Sequence, residues 1–172
     1  LKAMDSGPVL YGHRRVGLGG REFRCWKFRT MVVNGDEVLE RHFRDNPADA
    51  VVWALKRKLV NDPRVTPLGA ILRKLSLDEL PQFINVLNGS MSLVGPRPPL
   101  ASEVDKYEQH VYRRLRVRPG ITGLWQVSRR SDLSWEESVR IDLYYVDNWS
   151  MLTDVGIILK TVSVVARGEG AY

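Results

Sequence analysis

The chain has one cysteine, Cys25, in 172 residues. That excludes an intramolecular disulfide and any CxxC metal site, and is compatible with a reducing compartment. Three histidines, His13, His42 and His110, stand too far apart to share ligand spacing. They argue against zinc and read as packing or surface residues. No run of eighteen apolar residues occurs, and the start does not read as a signal peptide. No bilayer-spanning segment is therefore predicted in this chain, which is expected to be soluble or peripheral. The glycines of VGLGG do not complete GxGxxG, and no GKS or GKT follows, so Gly17, Gly19 and Gly20 read as turn residues.

What the chain does have is enough apolar content, 44%, for one domain over residues 1–172 to bury a core. A net charge of +6 and a pI near 9.7 predict anionic partners: nucleotides, nucleic acid or an acidic membrane surface. Charge alone does not choose among them.

The densest constraints fall together between Arg73 and Pro99. Leu80, Phe83, Ile84 and Leu87 recur at helical period directly after two acids, Asp78 and Glu79, which places the acids at a helix start. Pro81 is tolerable there because an N–H in the first turn has no intrahelical partner anyway. At 100° per residue Asp78 points about 160° away from the apolar stripe, so it is expected to face away from the core, with Glu79 on the flank. Ser76 with Glu79 also forms a capping-box pattern, and Asp78 alone suits an N-cap, so a structural role competes with a chemical one. Arg97 tips attention toward chemistry. Its neighbours Pro96 and Pro98 stiffen the backbone, and a rigidly presented guanidinium suits phosphate oxygens as well as it suits a nearby carboxylate.

Taken in order, Val9–Arg15 and Glu22–Phe28 read as a β-hairpin. In KFRTM, Lys27 and Arg29 share one side of an extended segment, suited to a diphosphate or to plain solvation. A charged helix is expected from Asn34 to Asp45, then a loop around Asn46 and Pro47, with a cationic run at 56–58. Thr66 as N-cap and Pro67 at the first helical position open a helix that delivers Arg73 and Lys74 to the acids. Asn88 and Gly89 stop the helix after Asp78, and SLVG reads as extended.

Beyond Arg97 the pattern predicts a polar helix over residues 101–114, a type II turn at Pro119–Gly120 and an extended GLWQVS. The arginines at 113, 114, 116 and 118 raise nucleic-acid binding, but no RNA-binding or helix-turn-helix signature accompanies them, so nucleic acid is not an expected partner. Ser134 and Glu137 form a capping box for a helix whose apolar face, Val139, Leu143 and Val146, also carries Asp142. A carboxylate there needs an arginine or belongs to a site. Thr153 is the expected cap of the last helix, with Asp154 in its first turn and Val155, Ile158, Leu159, Val162 and Val165 along one stripe.

KFRTM, LRKLSLDELPQ, MSLVGPRP, RPGITGLWQV and DLYYVDNW, together and in this order, resemble the bacterial sugar transferase family, the monotopic polyprenyl-phosphate phosphoglycosyl transferases. The resemblance covers the chain from Gly7 onward. It implies transfer of a sugar 1-phosphate from a nucleoside diphosphate sugar to undecaprenyl phosphate, on the cytoplasmic face of the inner membrane and with magnesium. The long segment between KFRTM and LDELPQ and the terminal GEGAY look like the branch using UDP-galactose or UDP-glucose. By motif, Asp78 matches the nucleophile and Glu79 the acid associated with magnesium. Lys27, Arg73 and Arg97 match conserved cations, and Asp142 and Asp154 two further acids. A carboxylate nucleophile is chemically apt, since it forms an aspartyl phosphosugar that the lipid phosphate then discharges.

The expected fold is α+β, mainly helical, with a small antiparallel hairpin and amphipathic helices lying on a membrane surface. The family's membrane-embedded helix belongs just before GPV, so the chain is expected to be a fragment lacking it. Homodimerisation is left open. Two other classes stay in view: a two-carboxylate glycosidase-like enzyme, and a non-catalytic basic module binding nucleic acid or anionic membrane.

Overall fold

The structure, a computed structural model, describes residues 7–56, 59, 61–128 and 134–167. Arg57 and Lys58 of the cationic run, and GEGAY at 168–172, lie outside them. Strands β1 (Leu10–Val16) and β2 (Glu22–Phe28) form the expected antiparallel hairpin, with Tyr11 opposite Lys27, His13 opposite Cys25 and Arg15 opposite Phe23. Directly paired residues share a face, so His13, Arg15 and Lys27 lie on one side of the hairpin.

Helix α1 (Gly35–Asp45) ends where expected, but Pro47 starts α2 (Pro47–Lys56) instead of a loop. A proline at the first helical position needs no N–H and has its φ preset, so a breaker in the middle of a pattern is a starter here. Helix α3 (Pro67–Lys74) opens as predicted, with Thr66 Oγ1 accepting from Gly69 N at 3.0 Å. Gly69 is required: a Cβ there would stand 2.1 Å from the Thr30 carbonyl oxygen.

Helix α4 (Gln82–Leu87) follows a 3-10 turn at Leu77–Glu79 and is inside out. Gln82 and Asn85 are buried, whereas Leu80, Phe83 and Ile84 are about half exposed and Leu87 is 88% exposed. Asp78 and the apolar stripe are opposed, as the sequence predicts, but the stripe faces outward, so Asp78 faces inward and is only 9% exposed. Asn85 explains the inversion: its Oδ1 accepts from Trp26 N at 3.0 Å, and its Nδ2 donates to Arg24 O at 2.8 Å and Ser90 Oγ at 3.0 Å. The buried amide is thus well satisfied.

A second, parallel pair joins β3 (Ser92–Val94) to β4 (Gly120–Thr122), so Gly120 belongs to a strand and not to the expected turn. A Cβ on Gly120 would lie 2.1 Å from Gly95 N, which is the close approach that glycine permits. The helix expected over 101–114 is broken into α5 (Ala101–Val104) and a 3-10 segment, Gln109–Arg116. GLWQVS contains a short helix α6 (Leu124–Val127) in place of a strand.

Helix α7 (Trp135–Asp147) carries the predicted capping box. Helix α8 (Met151–Arg167) starts before Thr153, whose N–H donates to Ser150 Oγ at 3.1 Å, so Ser150 performs the capping expected of Thr153. Val94, Val127, Tyr145 and Ile157 form one buried cluster, and Tyr107, Val111, Val139 and Leu143 another. The apolar stripe of α8 stays outside both: Leu152 is 84% exposed, and Val155, Leu159 and Val162 are exposed with it. No helix among the described residues is long and apolar enough to cross a membrane. The outward apolar stripes of α4 and α8 match the expected amphipathic surface helices.

Candidate active site

Ser76 sets the site's geometry. It is the one non-glycine residue with positive φ (54°) among those described, and it forms no side-chain cap bond, so the capping box with Glu79 is absent. A serine in the left-handed region costs energy that the surroundings must offset. The sharp turn it makes after α3 sends the chain into the 3-10 turn that aims Asp78 inward.

There Asp78 and Glu79 meet Lys27, delivered from the hairpin face. Lys27 Nζ lies 2.5 Å from Glu79 Oε1 and 3.9 Å from Asp78 Oδ2. Burial raises the pKa of Asp78 above the ordinary carboxylate value; Lys27 and Arg73 pull it down, and Glu79 pushes it further up. Arg73 Nε donates to Thr30 Oγ1 at 2.8 Å, which anchors this second cation beside the acids.

Arg97 joins the same electrostatic neighbourhood. His13 is lowered below its usual pKa by burial first and then by Arg15, Lys27 and Arg97, so the three cations act on one imidazole. Arg97 Nη1 also donates to Glu103 Oε1 at 3.3 Å. The structure therefore brings Lys27, Arg73, Asp78 and Glu79 together, and joins Arg97 to this group only through His13, which both Lys27 and Arg97 influence. Arg29 is placed differently: its Nε donates to Pro8 O at 2.7 Å and its Nη1 to Met31 O at 3.2 Å.

Asp142 and Asp154 have other partners. Asp142, 1% exposed, accepts from Arg114 Nη2 at 2.6 Å, and Arg114 Nη1 donates to Tyr107 Oη at 2.6 Å. Burial pushes the Asp142 carboxyl up to about 6 against the opposing pull of Arg114. Asp154 accepts from Tyr145 Oη at 2.8 Å and Trp149 Nε1 at 3.1 Å, and lines a cleft of about 420 Å³ between α4, β3 and α8.

Sequence reading passed over Arg15 and Asn85 and saw Arg114 only as one member of a charged run. Period-two alternation puts Arg15 on the face of Lys27, a signal available in the sequence. For Asn85 no such signal existed, because a polar residue beside an apolar stripe reads as solvent-facing.

A buried carboxylate and its acidic neighbour, held among cations beside an outward apolar stripe, is what the geometry presents. The chain belongs to the bacterial sugar transferase family, whose profile matches residues 1–168, and it is a transferase. Among its relatives, the exopolysaccharide production protein ExoY of Rhizobium meliloti is 52% identical over 172 residues, covering all of this chain and 76% of that protein. The UDP-galactose-lipid carrier transferase of Erwinia amylovora is 51% identical over 172 residues, all of this chain but 36% of its own length. The undecaprenyl-phosphate galactose phosphotransferase of Salmonella typhimurium is 49% identical over 168 residues, 98% of this chain and 35% of that protein.

Proposed function

We propose that this domain transfers a hexose 1-phosphate from UDP-galactose or UDP-glucose to undecaprenyl phosphate, as the first membrane step of exopolysaccharide, capsule or O-antigen synthesis. The observation that carries the reading is the inward, buried Asp78 beside Glu79, with Lys27 reaching both. The relatives' names, which include exopolysaccharide production and a galactose phosphotransferase acting on undecaprenyl phosphate, support the substrate class.

In the first half-reaction an Asp78 carboxylate oxygen attacks the phosphorus that bears the sugar. The bond from that phosphorus to the bridging oxygen breaks, and UMP leaves with the electron pair. In the second, a phosphate oxygen of undecaprenyl phosphate attacks the same phosphorus and frees Asp78. Lys27, Arg73 and Arg97 stabilise charge on the phosphate oxygens in both steps. The glycosidase alternative loses ground, since Asp78 and Glu79 are neighbours in one short turn and share one ammonium.

Magnesium fits this donor set. No group of three metal-binding side chains gathers among the described residues, and magnesium commonly rests on one or two carboxylates with phosphate oxygens and water completing its shell. Glu79 would hold it together with the donor diphosphate, and the ion would neutralise diphosphate charge. Chelation is expected to abolish UMP release. The outward stripes of α4 and α8 support placement at a membrane surface, and the resemblance to the family favours the cytoplasmic face of the inner membrane as that surface.

Intact-protein mass spectrometry after acid quench tests the mechanism. With donor alone, the wild type should gain a hexose phosphate that undecaprenyl phosphate discharges, and Asp78→Asn should gain none. Absence of any adduct, with near wild-type turnover by Asp78→Asn, would falsify the covalent route.

A further inference from the structure

Four consecutive carbonyls around Arg97 are gripped from three parts of the chain: the end of β1, the 3-10 segment and β4. Gly120 N donates to Pro96 O at 3.0 Å and Val16 N to Pro99 O at 2.9 Å. Arg15 Nη1 donates to Pro98 O at 3.2 Å and Arg114 Nη2 to Arg97 O at 3.4 Å, the longest of the four. Because Pro96, Pro98 and Pro99 have no N–H, this segment cannot build a ladder of its own and is held almost wholly through its acceptors.

Two of the four donors are guanidinium groups kept in unfavourable surroundings. Arg114 is 5% exposed and is compensated by Asp142, by Tyr107 Oη, and by the rings of Tyr107 and Trp135 at 5.6 and 5.7 Å. Arg15 sits close enough to Arg97 for the two charges to oppose each other. A buried ion pair is commonly no more stabilising than apolar packing of the same volume, so stability is a poor reason for this arrangement. Geometry is a better one. Guanidinium groups hold the carbonyl of the residue whose side chain must meet phosphate and the carbonyl of the residue after it.

We propose that Arg15 and Arg114 are positioning residues for Arg97, holding its own carbonyl and that of Pro98 so that its guanidinium is presented to the donor diphosphate. The proposal rests on the reading of Arg97 as a phosphate-binding residue. Asp142 belongs to the device as the counter-charge that keeps Arg114 buried and directed. The lysine variants are the informative ones, since they keep the charge but lose the fork.

The experiment uses the full-length protein in lipid nanodiscs, with UDP-galactose and undecaprenyl phosphate, measuring UMP release by Arg15→Lys, Arg114→Lys, Arg97→Ala and the two double variants. Each lysine variant should lower kcat/KM about tenfold, chiefly through donor KM, and Arg97→Ala about a hundredfold. Adding either lysine variant to Arg97→Ala should cost nothing more, because the clamp acts only through Arg97. Multiplicative losses in the doubles, or wild-type activity in Arg97→Ala while the Asp78 adduct still forms, would overturn the clamp and leave the covalent mechanism standing. Hydrogen exchange over residues 95–103 gives a readout independent of turnover: it should quicken in both lysine variants at little-changed melting temperature. Unchanged exchange in both variants refutes the clamp even if UDP-galactose proves not to be the donor. If Arg114→Lys does not fold, Arg15→Lys decides by the same two measurements.

Discussion

Lys27 Nζ is bonded to Glu79 at 2.5 Å, so the hairpin's ammonium is committed first to the acid beside the proposed nucleophile and only secondarily to Asp78. Asp78 is therefore less stabilised as an anion than a simple ion pair would make it, and burial raises its pKa. A nucleophile must be ionised, so kcat/KM should rise with pH along a limb above the usual carboxylate range. Removing the raising influence in Glu79→Gln should shift that limb to lower pH; removing the lowering influence in Lys27→Met should shift it higher. A pH profile of adduct formation checks both, and a limb unmoved by either change would mean that Asp78 does not report on this pair.

Asn85→Leu keeps the number and branching of the side-chain heavy atoms but leaves Trp26 N and Arg24 O without their partner. Orphaning buried backbone groups costs about 1–3 kcal/mol each, so a loss of roughly 2–6 kcal/mol is expected in denaturant unfolding. Asn85→Asp should also destabilise, because a carboxylate has no N–H to give the Arg24 carbonyl.

The Asp142 carboxyl, raised from 3.8 to about 6, makes stability depend on pH. Below about pH 4 the carboxyl is protonated in both the folded and unfolded states. Between about 4 and 6 the unfolded chain has released its proton and the folded one has not, so this contribution is lost as pH rises through the folded value. Relative to Asp142→Asn, wild-type stability should fall by on the order of 3 kcal/mol between about pH 4 and 7. Parallel stability curves for the two proteins would show that Arg114 holds Asp142 ionised throughout.

Leu152, Leu159 and Val162 are exposed on α8. Changing all three to glutamine should alter unfolding free energy by no more than about 0.5 kcal/mol per site, as is usual for surface positions. Binding to vesicles containing anionic lipid should weaken by about tenfold or more, since partition follows buried apolar area. Unchanged sedimentation with vesicles would remove α8 from the membrane-facing surface.

Much of the molecule was legible because local signals agreed with the fold. The hairpin, the Thr66–Pro67 start and the Ser134–Glu137 box each depend on residues within a few positions of one another, and all three are observed. The five motifs likewise reveal the family without any structure. What misled was the rule that apolar means inside: for α4 the stripe is real but its burial is reversed, because Asn85 binds the hairpin backbone and the leucines face outward. Ser76 misled for a related reason, since nothing local distinguishes a capping serine from one forced to positive φ. The Arg15 and Arg114 contacts span 83 and 17 positions of sequence. No periodicity reports on pairings of that range.

The side chain of Asn85 has one more consequence, for the rim of the hairpin. Arg24 O and Trp26 N lie two residues apart and point away from β1, where a third strand's peptide group would ordinarily add to a sheet. The carboxamide of Asn85 occupies that position, offering one acceptor and one donor as a peptide bond would. It thereby closes the free border of β2 at its middle to pairing with another chain, the hazard that short exposed strands carry during folding. The same asparagine that leaves an apolar stripe outward thus leaves the middle of β2 without open peptide groups for another strand.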